Sequence, residues 1–259
     1  MSIAVAFVLI AIISYLIGTI NFSKIIAWNA RRKDITKVGS GNPGTMNMLR
    51  SFGFKLALFT LIAEVIKAGL TALIVKIVMD HTLGYGEVAY WFSGLFLMLG
   101  NDFPVWSKFK GGKGVACFVG IFLFSQIGWV GLIWLILCAT IFYFIGYGSV
   151  ASFMFITGMA IAYTIYTWVF ATFPLAWAVT AIIWFLVALT FAKHHANIYR
   201  LFHKCENKIN FKQKLKECFC HKKGEEIISE DQVENRPEQE IVIEEENSSS
   251  QEDKEDKKE

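Results

Sequence analysis

The chain lacks what a disulfide-stapled fold would need. Its five cysteines, Cys117, Cys138, Cys205, Cys218 and Cys220, are odd in number, and three of them fall in a C-terminal segment expected to face a reducing compartment. A zinc site is equally ill provided for, because Cys218-Phe219-Cys220-His221 offers two close thiols and one imidazole without a second ligand pair. No basic residue precedes the first apolar stretch, residues 3–22, and no small-x-small cleavage site follows it, so it reads as a retained membrane helix and not a removed leader. Lys or Arg is missing throughout 80–87. No internal repeat stands out, which argues against a transporter built from inverted halves.

What is abundant is apolar surface. Hydrophobic residues make up 54% of the chain, in runs too close together for a soluble domain of this length to bury, so lipid must be the main solvent. A bilayer core takes roughly twenty apolar residues per helix, with shorter pieces allowed where protein shields the backbone. That ruler predicts spans at 3–27, 54–79, 87–101, 114–127, 129–147, 150–167 and 171–192. The expected fold is therefore all-α: a polytopic integral membrane bundle of about seven transmembrane helices.

Charge divides the chain in two. Fifteen of the 22 acidic residues follow Gly224, leaving 21 basic and 7 acidic residues in 1–223 behind a net charge of only +3. The expected organisation is a membrane domain over 1–209, a basic cytoplasmic segment over 210–223 and an acidic tail over 224–259, too polar to offset its chain entropy and so disordered. Cytoplasmic loops carry the excess of Lys and Arg. Arg31, Arg32, Lys33, Lys37, Arg50 and Lys55 put the first loop inside, Lys108, Lys110 and Lys113 the loop after span three, and 193–223 the C-terminus; 80–87 reads as external and the N-terminus as outside.

On this orientation three polar clusters share the cytoplasmic side, each at a helix end. The first is Gly39-Ser40-Gly41-Asn42-Pro43-Gly44-Thr45-Met46-Asn47-Met48-Leu49-Arg50. Gly39 and Gly41 let backbone N–H groups approach an anion, and Ser40, Asn42, Asn47 and Arg50 add side-chain donors, although the same glycines also suit a plain tight loop. The second begins at Gly100-Asn101-Asp102-Phe103-Pro104 and ends in Lys110-Gly111-Gly112-Lys113-Gly114 at the mouth of an apolar helix. There a helix N-terminus, open N–H groups and the fixed ammonium of Lys113 make a phosphate site in physical terms. It is no nucleotide-binding Walker loop, since Gly114 stands where Ser or Thr would hold magnesium. Lys108 and Lys110 read first as positive-inside anchors. The third is Lys193-His194-His195-Ala196-Asn197-Ile198-Tyr199-Arg200-Leu201, in which His194 and Asn197 share a face if helical, with Glu206 further on. Within span two, Glu64 and Lys67 are spaced i, i+3; intramembrane charges mark a pair or a site, and here a structural pair is favoured.

In this order the clusters resemble the PlsY family, bacterial membrane glycerol-3-phosphate acyltransferases that take their acyl group from acyl-phosphate. That family carries Gly-Ser-Gly-Asn-x-Gly-Ala-Thr-Asn-x-x-Arg, then Gly-His-x-Phe-Pro running into Phe-Lys-Gly-Gly-Lys-Gly-Val-Ala-Thr, then His-x-x-Asn-Ile-x-Arg-Leu, and the match covers about residues 12–209. The resemblance implies a seven-span fold whose catalytic positions are Ser40, Arg50, Lys113, His194, Asn197 and Glu206. It also implies that Gly111, Gly112 and Gly114, with Lys110, hold the phosphate of glycerol-3-phosphate. The other implied partners are acyl-phosphate and membrane lipid, with no cofactor, metal, nucleic acid or obligate protein partner. This sequence departs from the pattern at Glu64 for Asp, Ala68 for Gly, Asn101 for His, Cys117 for Thr, Lys204 for Gly and Thr45-Met46 for Ala-Thr. Acyltransferases of the acyl-CoA type are disfavoured, because no His here has Asp five residues on. The alternative is an organic-anion or phosphate transporter, which would place ionisable groups at the midplane and on both sides of it.

Overall fold

The computed structural model describes residues 2–206, 208–210, 213 and 214; the acidic tail and the Cys218–His221 stretch lie outside them. Among the described residues there are nine α-helices and no strand. They are α1 (Ile3–Gly18), α2 (Phe22–Arg31), α3 (Thr45–Leu83), α4 (Gly86–Asp102), α5 (Val115–Leu123), α6 (Gly128–Ile145), α7 (Gly148–Val169), α8 (Ala176–Lys193) and α9 (His195–Phe202). Every apolar stretch expected to span is helical. Five helices, counting α1 and α2 as one run, are long and apolar enough to cross a membrane: Ile3–Arg31, α3, α6, α7 and α8.

The other two spans come out short, and their surroundings explain why. Residues 114–127 yield only the nine-residue α5. At 1.5 Å per residue it rises about 14 Å, half of a hydrocarbon core. Cys117, Phe118, Val119, Ile121 and Phe122 are all buried, so protein and not lipid surrounds its backbone ends. α4, at 17 residues, is likewise enclosed by α1, α3 and α8. α1 approaches it closely through glycines: a Cβ on Gly18 would lie 2.2 Å from the Leu97 carbonyl oxygen, and one on Gly100 2.2 Å from that of Tyr15.

The first span, expected as one helix over 3–27, is broken between Gly18 and Phe22. Asn21 caps α2 by accepting the Lys24 N–H at 2.9 Å. The remaining orphan groups at the break are met from α3. Glu64 accepts the Phe22 N–H at 2.8 Å, while the Lys67 ammonium donates to the Ile20 carbonyl at 2.6 Å and to Glu64 at 2.5 Å. Both charged side chains are 6% exposed. The spacing favoured a structural pair; here the pair joins α3 to the break, and Glu64 also lines a cavity. Glu64→Ala is expected to strand a buried ammonium and cost about 3 kcal/mol, with Glu64→Ala/Lys67→Met recovering part of it. Thermal unfolding in detergent checks this.

α3 bends at Gly53, whose φ of +82 suits only a residue without Cβ, and continues back to Thr45, nine residues before the expected start. At the opposite end of the bundle Glu87 is buried and accepts from Trp91 (3.2 Å), Gln126 (2.7 Å) and Tyr163, with Lys76 at 3.2 Å. From α3 onwards the helices alternate in direction. The start of α3, end of α4, start of α5, end of α6, start of α7 and end of α8 therefore collect at one end of the bundle.

Candidate active site

At that end lies a cavity of about 410 Å³. Its polar wall draws on all three clusters: Ser40, Asn42 and Arg50; Gly112, Lys113 and Gly114; His194, Asn197 and Glu206. Deeper along the helices apolar side chains join the wall, Ala57 and Leu61 of α3, Val119 of α5, Leu135 of α6 and Phe155 of α7, together with Thr60 and Glu64 of α3. Three helices begin on this cavity. α3, α5 and α7 are capped by Gly44, Gly114 and Tyr147, none with a side-chain hydrogen bond, and Thr45, Val115 and Ser149 from their first turns line the wall. First-turn N–H groups and three positive dipole ends thus point into one space, a strong field for anions.

The polar residues are wired together. Lys113 donates its ammonium proton to the Asn197 side-chain oxygen. Asn197 donates in turn to Glu206 Oε1 at 2.7 Å, which also accepts from Ser149 at 3.2 Å, while Glu206 Oε2 accepts from Arg200 Nε at 3.0 Å. Glu206 returns to the site because the chain reverses after α9. Lys204 takes a left-handed φ of +56, the Cys205 N–H reaches the Arg200 carbonyl at 2.9 Å, and the Ile209 N–H reaches that of Gly146 at 2.9 Å. The family's glycine at 204 thus answers a backbone requirement, which Lys204 meets at a steric cost of about 1 kcal/mol.

His194 sits at the junction of α8 and α9 and is only 5% exposed. Its Nδ1 lies 2.8 Å from the Thr190 carbonyl oxygen, which can only accept, so Nδ1 carries the proton and Nε2 keeps its lone pair. Burial, with the Lys113 charge adding to it against the opposing effects of the Thr190 hydrogen bond and Glu206, lowers its pKa to about 4. Burial also lowers the Lys113 pKa to about 8, with the charge of Arg200 next in effect.

Several residues expected to bind substrate also hold the backbone in place here. Asn47 accepts the Ser40 N–H at 2.9 Å and donates to the carbonyls of Ile35 and Val38, both at 3.0 Å, so its amide ties the glycine loop together from beneath. Gly39, Gly41, Lys110 and Gly111 are not among the lining residues. Gly39 and Gly41 serve the turn, with φ of +57 and +69. Gly111 is a spacer: a Cβ there would lie 2.2 Å from the Asn101 carbonyl oxygen. Lys110 is exposed. Conversely, Arg200 and Ser149 line the cavity and hold Glu206 without having been singled out. Arg200 stood within the third cluster, whereas Ser149 opens an apolar span and gave no signal. Two departures from the family pattern meet each other, and a third braces the glycine segment. The Cys117 thiol lies 3.7 Å from Glu64, and Asn101 donates to Asp102 at 2.9 Å while its carbonyl receives the Gly112 N–H at 3.0 Å.

A helical membrane bundle whose cavity gathers Arg50, Lys113 and three helix N-termini above largely apolar side chains is suited to amphiphilic anions. Residues 8–204 match the model of glycerol-3-phosphate acyltransferases, and the chain belongs to that family. It is 34% identical to the glycerol-3-phosphate acyltransferase of Bartonella henselae over 78% of this chain and 90% of the relative. The corresponding enzyme of Pelagibacter ubique is 37% identical over 78% and 97%. The crystal structure of PlsY, an integral membrane glycerol 3-phosphate acyltransferase, in its glycerol 3-phosphate form superposes with a TM-score of 0.67 at 28% identity, covering 81% of this chain and 98% of that one. Its lysophosphatidic acid form gives 0.64. The protein is a membrane acyltransferase, and the transporter alternative is set aside.

Proposed function

We propose that the protein transfers an acyl group from acyl-phosphate to the 1-hydroxyl of glycerol-3-phosphate, releasing 1-acyl-glycerol-3-phosphate (lysophosphatidic acid) and phosphate. The observation that carries this reading is the cavity itself. Three helix N-termini uncapped by side chains, Lys113 and Arg50 face a space floored by apolar side chains, which suits two phosphate groups and one acyl chain. An acyl-phosphate is a mixed anhydride with a good leaving group, so orientation and charge neutralisation matter more than a strong protein nucleophile.

Lys113 with Gly112 and Gly114 holds the acceptor's phosphate, Arg50 the donor's, and Ser40 with neighbouring N–H groups stabilises the developing oxyanion. Nε2 of His194 accepts the proton of the 1-hydroxyl as its oxygen attacks the acyl carbon. The bond from acyl carbon to phosphate oxygen breaks, and phosphate leaves with the electron pair. Asn197 and Glu206, braced by Arg200 and Ser149, keep Lys113 in place. The relatives named above act on glycerol-3-phosphate, which supports the acceptor. The donor rests on the motif pattern and on the missing His-x-x-x-x-Asp. The basic loops support a cavity that opens to the cytoplasm of a cell membrane.

The test is transfer of labelled glycerol-3-phosphate into lipid by the purified, detergent-solubilised protein with acyl-phosphate or acyl-CoA. Product from acyl-phosphate alone is expected. Product from acyl-CoA at a comparable rate overturns the donor assignment.

A further inference from the structure

Between α4 and the glycine segment the chain makes a tight loop, residues 103–110, that does not line the cavity. Four backbone hydrogen bonds close it. The N–H groups of Ser107 and Phe109 both reach the Pro104 carbonyl at 3.0 Å, that of Lys108 reaches Val105 at 3.2 Å, and that of Lys110 reaches Ser107 at 3.0 Å. Lys108 and Phe109 hold consecutive left-handed conformations, φ 51 and 60, which residues with a Cβ adopt only when their surroundings impose them.

That strain displays an unusual surface. Trp106 is 73% and Phe109 60% exposed, with Lys108 and Lys110 exposed beside them. The loop is pinned to the α1–α2 break, because Trp106 Nε1 donates to Thr19 at 2.9 Å and the Lys24 ammonium to Ser107 at 2.7 Å. α2 then adds Trp28, 55% exposed, and ends at the exposed Arg31. The apolar run Ile3–Arg31 breaks at residues 19–21, and its second part, α2, carries the exposed Trp28 and Arg31, residue types that suit a headgroup layer. At its other end the loop runs directly into Gly111, Gly112 and Lys113 of the site.

We propose that residues 105–110, with α2, form a docking surface for anionic phospholipid headgroups, and that the docked lipid steadies the Gly-Gly-Lys-Gly segment. Exposed indole and phenyl rings belong at the headgroup level, and ammonium groups beside them favour anionic over zwitterionic lipid. A merely soluble loop would gain nothing from strained backbone that turns the Phe109 ring outward beside the exposed Trp106.

The experiment uses the full chain reconstituted in phosphatidylcholine vesicles with and without phosphatidylglycerol. Photoactivatable phosphatidylglycerol is expected to label the 105–110 peptide, with unlabelled phosphatidylglycerol competing and phosphatidylcholine not. Acyl transfer should rise when phosphatidylglycerol is added. Lys108→Gln should blunt that rise by about fivefold, the change that about 1 kcal/mol per lysine at an anionic surface gives, while leaving the rate in phosphatidylcholine alone unchanged. Phe109→Ser should weaken labelling without abolishing transfer. Labelling spread evenly over the lipid-facing helices, or a Lys108→Gln rate reduced equally in both vesicle types, overturns the proposal. The labelling arm does not depend on the acyl donor and therefore fails independently of the catalytic reading.

Discussion

Lys113→Ala is expected to lower kcat/KM by about a thousandfold, the scale on which the loss of one preorganised group at a developing charge is felt. Its ammonium is held by Asn197, which in turn donates to Glu206. Removing it takes away a fixed cation and also the partner that orients Asn197. The same group sets the alkaline side of the pH profile. Its pKa is lowered to about 8 by burial, so the free enzyme loses the working ammonium as pH rises through about 8, and kcat/KM falls there. Lys113→Arg tests this directly, because a guanidinium stays charged throughout the range. The variant should be slower overall, yet lose the inflection near 8. An unchanged alkaline limb would place it on another group.

His194→Ala is expected to lower kcat by about a hundredfold to ten-thousandfold, the contribution of a positioned general base. Its neighbour is the internal control. His195 is exposed, bonds the Ala192 carbonyl through Nδ1 at 3.1 Å and does not line the cavity, so His195→Ala should leave turnover near normal. Burial keeps His194 neutral down to a pH of about 4, which means the base form is present well below the pH at which an exposed imidazole protonates. Turnover should accordingly persist through pH 6.5 and fall towards 4. Any inflection near 6 belongs to the substrate phosphates, whose second ionisation lies there, and follows the substrate and not the variant. Steady-state rates across this range with both histidine variants check the assignment; near-normal turnover of His194→Ala would remove it from the base role.

Much of the site was legible because its signals are local. Lys113 between glycines at the mouth of an apolar run, and His194 three residues before Asn197, are patterns a short window contains. The family pattern named Ser40, Arg50 and Glu206 in the same way, by their order along the chain. What the sequence left open was role. Asn47 and Arg50 stand three residues apart in one motif and both line the cavity, yet the Asn47 amide is also spent on Ile35, Val38 and Ser40, tying the glycine loop from beneath. Gly39 and Gly112 look alike as glycines, and only the second lies against the substrate space.

By itself the sequence determined that the chain lives in lipid and which stretches are helical, because hydropathy acts through solvent and needs no knowledge of neighbours. Tertiary structure alone decided how helix ends are satisfied. The break at residues 19–21 is stable because Glu64 and Lys67 reach it from α3, more than forty residues away. α5 can stop after nine residues because buried neighbours shield its ends. Ser149 and Arg200 join the site because Glu206 folds back onto them. The break and the Ser149 contact depend on a polar group finding a partner distant in sequence, since in a membrane no water stands ready to take that partner's place.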